Sequence, residues 1–211
     1  MESQQPLPEQ RENAEPAGSA PALPSDLLTV SASLFRRHGY AGTTTRQLAA
    51  AMGIGKASLY HYIDTKEDLL YTLCVRSLET ITDQVRAAVE RSDPPERVSA
   101  MIAAHVRSML HDQDMHAVML LELRSLSRPR LDDVISRRDR YESNVESVLA
   151  HGQRAGMIRT DIKSRHLALG LLNLLNWTIF WYRLSGELNP DEVVTMMRTI
   201  FLDGVRPPQT T

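Results

Sequence analysis

Apolar side chains recur at helical spacing along almost the whole chain from Ser25 onward, and this periodicity constrains the fold more than any other feature. The first helical stripe consists of Leu27, Leu28, Val30, Leu34 and Phe35. Residues three or four apart share one helical face, so each stripe can pack as one side of an amphipathic helix. No strand-like alternation extends beyond a few residues, and the sequence has no internal repeat. We therefore predict an all-α fold of about nine helices, three short ones followed by longer ones.

The composition limits where such a protein works. The chain has 211 residues, 42% of them apolar, and a formal net charge of −2, so any contact with nucleic acid must come from a local patch. The single cysteine, Cys74, has no partner for an intrachain disulfide, which suits a reducing cytoplasm. The N-terminus lacks the apolar core of a secretory signal, and the longest apolar stretch, residues 167–182, is shorter than the roughly 20 residues that span a bilayer. We therefore expect a cytoplasmic protein.

Changes in composition also divide the chain. Residues 1–24 contain five prolines and almost no large apolar side chains, so they cannot bury enough surface to offset the entropy of ordering. This segment is predicted to be a disordered tail, with a partner-binding arm as the alternative. Short helices are predicted over residues 25–70, longer helices over residues 71–206, and a second tail over residues 207–211.

Residues 44–62 have the pattern of two short helices joined by a glycine bend. Thr44 can cap the first helix, and the glutamine three positions later completes a capping box. Gly53 suits a turn that needs a positive φ, and Ala49 is small where the two helices would cross. A second helix is predicted over Lys56–Tyr62. Together these features predict a helix-turn-helix, with an ordinary helical hairpin in a bundle as the alternative.

The second helix of this motif carries outward chemistry suited to DNA, because Leu59 is its only long aliphatic residue. A lysine can contact phosphate or guanine, serine and histidine can donate to bases or phosphates, and tyrosine hydroxyls typically bind phosphate. The backbone amides and lysine at the start of the next helix can hold a further phosphate. The candidate DNA contacts are Thr44, Thr45, Arg46, Lys56, Ser58, Tyr60, His61, Tyr62 and Lys66. Arg36 and Arg37 extend this set into a mildly basic patch.

The segment TTTRQLAAAMGIGKASLYHYIDTKEDLL strongly resembles the N-terminal domain of the TetR family of repressors, over about residues 27–72. The shared elements are T-x-R-x-[IL]-A, the A-x-G turn, L-Y-x-[YH]-[FIV] and K-[ED]-x-L. The resemblance implies a homodimeric regulator with a DNA-binding domain over residues 25–70 and a ligand-binding and dimerisation domain over residues 71–206. It assigns DNA contact to the candidates above except Thr45. Two departures are tolerable: Gly55 lacks a capping oxygen, and Ile63 replaces the usual aromatic residue.

The C-terminal half gives weaker signals. Residues 167–183 and the helix that starts near Pro190 are predicted to form a four-helix dimer interface, with intrachain core as the alternative. NWTIFWYRLSGELNPDEV, with ELRSL and RRDRYE, resembles repressors that sense acyl-CoA thioesters. This resemblance implies a ligand pocket in which flexible methionines suit an irregular apolar ligand. Its candidate residues are Met101, His105, Met109, Met119, Leu123, Arg124, Trp177 and Trp181, with Arg137 and Arg138 as further phosphate contacts. Plain core and a solvated face are the alternatives.

Other functions have little support. His111–His116 contains two histidines and two aspartates, but their spacing matches no standard metal site, and the segment is predicted to link two helices. The sequence has no nucleophile elbow, zinc-protease motif or phosphate-binding glycine loop. We therefore expect a regulator without cofactor or metal, and not an enzyme. A helical ligand carrier or protein-docking module that does not bind DNA is the second reading.

Overall fold

A computed structural model describes residues 25–207 and shows a bundle of α-helices. The predicted tail over residues 1–24 and the last four residues lie outside the described part of the chain. The helices are α1 Ser25–Gly42, α2 Thr45–Ala51, α3 Lys56–Leu59, α4 Lys66–Glu90, α5 Arg97–His111, α6 Gln113–Glu122, α7 Arg128–Arg154, α8 Ser164–Asn176, α9 Thr178–Trp181 and α10 Pro190–Gly204. Short 3₁₀ turns precede α5 and follow α6. The described residues contain no strand, and the predicted all-α class is confirmed.

Three helices begin where the sequence places a cap. Thr44, Thr65 and Asn189 each accept a hydrogen bond from the backbone amide at the third helical position, and the side chain at that position bonds back to the capping residue. Each such capping box satisfies two amides that would otherwise lack a partner in the first helical turn. The starts of α2, α4 and α10 are therefore fixed by local chemistry.

Three helix bounds differ from the predictions. α3 is one turn long, Lys56–Leu59, and the residues up to Tyr62 form turns. The predicted single helix over residues 167–183 is interrupted at Trp177, because the Phe180 amide bonds to the Trp177 carbonyl three residues back and not four. The predicted linker at His111–His116 is mostly helical, since α6 begins one residue after Asp112.

Two hydrophobic clusters form the core. The first contains α1, α2, α3 and the start of α4, together with Val118 and Met119 from α6 and Val134 from α7. The second contains the rest of α4 with α5, α7, α8 and α10. α4 crosses both clusters, with Leu70 in the first and Val85 in the second. The helices of the first cluster therefore pack directly on helices of the larger domain. No helix between residues 25 and 207 has both the length and the apolar character needed to cross a bilayer.

The bend between α2 and α3 contains two glycines with different backbone conformations. Gly53 has a φ of 67°, whereas Gly55 has a φ of −69°. The Ile54 amide bonds to the Ala49 carbonyl and the Gly53 amide to the Ala50 carbonyl, a pairing that ends a helix in a left-handed residue. A Cβ at Gly53 would meet no atom within 4 Å, so its cost is purely conformational.

We predict that Gly53→Ala destabilises the protein by about 1–2 kcal/mol, the cost of left-handed backbone for an L-residue. Gly55→Ala is the matched control and should cost less, since its φ is ordinary and its nearest new contact is 3.8 Å away. The small preference for glycine over alanine at this helix N-cap opposes the gain from a less flexible unfolded chain. Urea unfolding of the two variants measures the difference. Equal midpoints would contradict this account of the bend.

Candidate nucleic-acid interface and ligand cavity

The helix-turn-helix presents one apolar side inward and one polar side outward. Leu48 and Leu59 have no exposed surface, and Ala49 and Ile63 are almost fully buried against the first cluster. α3 has only Leu59 to bury, so that residue anchors the helix while its neighbours remain free. The inward packing of these few residues determines which side chains face solvent.

The outward side carries nearly all the residues predicted to contact DNA. Tyr60 is 44% exposed and Tyr62 is 37% exposed, and the Tyr60 hydroxyl lies 3.5 Å from the Thr45 hydroxyl. The Lys56 ammonium lies 5.8 Å from the centre of the Tyr60 ring. We call this face the recognition surface; it comprises Thr44, Thr45, Arg46, Lys56, Ser58, Tyr60, His61 and Tyr62. Its hydroxyl, imidazole and cationic groups are donors suited to phosphates and base edges.

Lys66 and Arg36, in contrast, bond within the chain. The Lys66 ammonium donates to the Tyr40 and Thr43 carbonyls at 2.7 Å each and lies 4.2 Å from the Tyr40 ring. Burial lowers the pKa of this lysine. The Arg36 guanidinium donates to backbone carbonyls of the larger domain. This arrangement favours a structural role for both cations, because each donates to two backbone carbonyls within the chain. A phosphate contact by Lys66 stays a prediction.

Arg130 links the start of α4 to the start of α7. This contact was not predicted from the sequence. The Arg130 guanidinium lies 2.5 Å from the Asp68 carboxylate, and the Ser127 amide donates to Glu67 at 2.9 Å. These contacts hold the pKa of Asp68 and of Glu67 below the usual carboxyl value. Nothing local in the sequence pairs residues 62 positions apart, so only the tertiary fold reveals this contact.

A small internal cavity of about 40 Å³ lies among α4, α5, α6, α7 and α8. Three of the predicted ligand residues, His105, Met109 and Met119, line it. The other lining residues are Leu78, Ile81, His116, Leu120, Arg138, Tyr141, Glu142, Leu172 and Asn176. The cavity therefore combines methionine and leucine side chains with a polar group on each of several helices.

The other five predicted ligand residues lie elsewhere. Met101 is fully packed in the second cluster, and Leu123 packs against the first cluster. Arg124 is exposed on the 3₁₀ turn after α6. Trp177 is 63% exposed and Trp181 is 38% exposed, because the break after α8 turns both rings towards solvent. None of these five residues lines the cavity, although the sequence predicted all of them as ligand contacts.

Buried hydrogen bonds join the cavity walls. His105 Nδ1 lies 2.6 Å from the Tyr141 hydroxyl, and its Nε2 lies 3.1 Å from Asn176 Oδ1. His116 Nδ1 lies 2.7 Å from the Ser77 hydroxyl, and its Nε2 lies 3.2 Å from the Ser108 hydroxyl. Buried polar groups need such partners to offset lost hydration. These two sets of bonds together connect five helices. Of their residues the sequence predicted only His105, as a ligand contact with plain core as the alternative.

Burial also controls the protonation of these groups. Desolvation lowers the pKa of His105 to about 3 and that of His116 to about 4. It raises the pKa of the Tyr141 hydroxyl. Both histidines are therefore neutral at physiological pH, each with one ring nitrogen that can donate and one that can accept.

A cleft of about 230 Å³ lies between α4 and α7, directly outside the cavity. Leu78 and Tyr141 line both spaces. Arg137 and Arg140 line the cleft, and Arg137 lies 2.9 Å from the Glu79 carboxylate. Glu79 and Asp83 line it as well, so the cleft gives the cavity a neighbouring surface of mixed charge.

Sequence comparison identifies the family. The sequence model for "Bacterial regulatory proteins, tetR family" matches residues 27–72. The model for "Tetracyclin repressor-like, C-terminal domain" matches residues 91–205. The two matches together cover more than half of the chain. The protein belongs to the TetR family. The expected resemblance is confirmed, and the chain is a ligand-responsive, DNA-binding transcriptional regulator.

Individual relatives share both sequence and fold. The chain is 27% identical over 192 residues to the HTH-type transcriptional repressor KstR2 of Mycobacterium tuberculosis, covering 90% of this chain and 96% of that one. The structure of the ketosteroid transcriptional regulator KstR2 of Mycobacterium tuberculosis superposes with a TM-score of 0.80 at 26% identity, covering 86% and 93%. That of the TetR family regulator PfmR from Thermus thermophilus superposes with a TM-score of 0.78 at 31% identity, covering 84% and 97%.

We predict that Lys56→Ala weakens binding to DNA from upstream of the chain's own gene roughly 5- to 30-fold, since one contact to DNA is worth about 1–2 kcal/mol. Thermal stability should not change, because Lys56 is exposed. Lys163→Ala, an exposed lysine in the other domain, is the control. Fluorescence anisotropy titrations measure both, and wild-type affinity in the Lys56 variant would remove this residue from the interface.

The buried histidines predict a loss of stability in acid. Below a pH of about 6.5 the unfolded chain protonates His105 and His116, whereas the folded chain keeps both neutral until their lowered pKa values are reached. Stability is therefore complete above that pH and falls as the pH drops, by about 2 kcal/mol per histidine at pH 5. Urea unfolding of wild type and of His105→Gln at pH 7 and pH 5 tests this. The variant should lose less stability between the two pH values, and an equal loss would contradict the account.

Proposed function

We propose that the protein is a cytoplasmic, homodimeric repressor that leaves a palindromic operator when an acyl-CoA thioester binds its C-terminal domain. The observation that carries the DNA half of this proposal is the exposed recognition surface held outward by Leu59. The similarity to the repressor KstR2 over 90% of the chain supports repression over activation. Two copies of the recognition helix would enter successive major grooves, which in such dimers lie about 34–36 Å apart or at multiples of that distance.

An exposed apolar surface on α8, α9 and α10 supports the dimer. Leu169, Trp177, Phe180 and Ile200 are each more than a third exposed, and the rings of Trp177 and Phe180 lie 4.5 Å apart. Exposed large apolar side chains on neighbouring helices are typical of protein interfaces. A two-fold axis beside α8 and α10 would bury these side chains in a four-helix interface.

The cleft and the cavity support a thioester ligand. Arg140 at the cleft can meet the phosphates of coenzyme A, and the apolar walls of the cavity can receive an acyl group. The Arg137 guanidinium already bonds the Asp133 and Glu79 carboxylates, so it is the weaker phosphate candidate. At about 40 Å³ the cavity is too small for an acyl chain, so an acyl group could enter it only in a conformer in which it has expanded. The unbranched side chains of Met109 and Met119 can change rotamer readily and so allow expansion.

The position of α6 supports a route from ligand to DNA. Met119 lines the cavity and also belongs to the first cluster, which contains the helix-turn-helix. Val118, the residue before Met119, belongs to the same cluster. Expansion of the cavity would therefore displace an element on which the DNA-binding helices pack. A ligand that binds the displaced conformer more tightly lowers operator affinity, and bound operator lowers the ligand's affinity by the same factor.

Titration of thioesters into a fluorescent complex of the protein with its upstream DNA tests the proposal. We predict that at least one acyl-CoA releases the DNA and that free coenzyme A does not. Arg140→Ala should raise the thioester concentration needed about tenfold, the loss of one charge-assisted contact. Arg154→Ala, an exposed arginine later on the same helix, is the control.

If a ketosteroid that carries no coenzyme A releases the DNA in the same assay, the effector is a steroid and not a thioester. If neither thioesters nor ketosteroids release the DNA, both effector assignments are wrong. The DNA interface is tested separately by the Lys56→Ala titration. No DNA binding at low salt would instead support a helical module with another role, because phosphate contacts are strongest there.

A further inference from the structure

Arg36, in the middle of α1, joins the DNA-binding domain to two separate elements of the larger domain. Its guanidinium donates to the Gln113 carbonyl at the start of α6 at 3.2 Å and to the Ile179 carbonyl in α9 at 2.8 Å. The same group lies 3.3 Å from the Asp114 carboxylate. A single side chain thus holds α1, α6 and α9 at one point, which we call the junction.

Gln113 closes the junction from the opposite side. Its side-chain amide donates to the Ile179 and Tyr182 carbonyls at 3.2 Å each. The carbonyls at the end of α9 have no further turn of helix to bond them, so these donors replace the missing ones. Because the Ile179 carbonyl keeps the Gln113 amide when Arg36 is removed, loss of the arginine need not unfold the chain.

Both partners of Arg36 lead to the cavity. On α6, His116 and Met119 follow Gln113 by one and two turns and line the cavity wall. On α8, Leu172 and Asn176 line the opposite wall, and Ile179 follows Asn176 by three residues. Any widening between α6 and α8 must change the separation of two carbonyls that a single planar guanidinium bonds simultaneously.

We propose that Arg36 is a positioning residue that sets the angle between the DNA-binding domain and the larger domain and couples the cavity to operator affinity. The coupling part rests on the proposed function, in which ligand releases DNA. Arg36 does not act by binding phosphate, since its donors point to Gln113, Asp114 and Ile179. The geometry part needs neither ligand nor DNA.

Spin labels test the geometry. Ala57→Cys in α3 and Ser147→Cys in α7 are exposed label sites, and the remaining Cys74 is buried, which raises its pKa to about 12 and keeps it unreactive. Labelled protein is diluted with unlabelled protein so that each dimer carries at most one labelled chain. Pulsed electron paramagnetic resonance then measures the distance between the two labels of one chain.

Arg36→Met should broaden the α3–α7 distance distribution. Arg86→Met, an exposed arginine on α4 paired only within its own turn, should leave it unchanged. An unchanged distribution in Arg36→Met would overturn the proposal.

Operator titrations test the coupling. In the wild type, thioester should weaken operator binding by about 5- to 150-fold, the usual size of such coupling. In Arg36→Met this ratio should be several-fold smaller, because only the packing of Met119 and Val118 then couples the cavity to the DNA-binding helices. Arg36→Lys should give an intermediate ratio, because a lysine can pair with Asp114 but lacks the two parallel N–H donors that bond both carbonyls. The salt dependence of operator affinity should be the same in Arg36→Met as in the wild type. A log–log slope reduced by about one would assign Arg36 to a DNA phosphate instead.

The two failures are distinguishable. A wild type that ignores every thioester contradicts the proposed effector, and the label distances then decide alone whether Arg36 positions the domain. A wild type that responds, with the same ratio retained in Arg36→Met, contradicts the junction and leaves the proposed function intact. Thermal unfolding of each variant separates both results from simple loss of stability.

Discussion

The burial of Leu59 behind α3 is the contact on which the DNA-binding surface depends. A one-turn helix has too few hydrogen bonds to be stable alone, so its orientation comes from the side chain it buries. Leu59 is fully enclosed by the first cluster, and the left-handed Gly53 directs the chain into that position. The helix has no second large apolar residue to compete for the core. For this reason the outward side is left to Lys56, Ser58, Tyr60, His61 and Tyr62.

The same cluster ties this surface to the rest of the molecule. α6 contributes Val118 and Met119 to it, and Met119 also forms part of the cavity wall. The DNA-binding helices are therefore not an independent unit that a flexible linker carries. Packed interiors resist continuous deformation, so the proposed expansion of the cavity would shift whole helices. Arg36 adds a polar connection at a second point, between α1 and the end of α9.

Local chemistry explains which features the sequence could predict. Capping at Thr44, Thr65 and Asn189 and the positive φ at Gly53 depend on residues a few positions apart, so the short helices and their outward face were predictable. The cavity depends on contacts such as Tyr141 with His105 and Asn176 with His105, 36 and 71 positions apart. Helical periodicity marks a residue as inward without saying which neighbour it meets. For this reason the sequence predicted Met101 and Met109 alike as ligand contacts, although Met109 lines the cavity and Met101 is packed in the second cluster.

The central claim is that two outward-facing recognition helices, fixed by their buried leucines, read DNA as a pair. Hydroxyl-radical footprinting of the protein on its upstream DNA tests this most directly, since it maps each contacted stretch of backbone. The account predicts two protected patches related by a two-fold axis, with centres about 10–10.5 base pairs apart or at a multiple of that spacing. A single patch, or protection without symmetry, would contradict it.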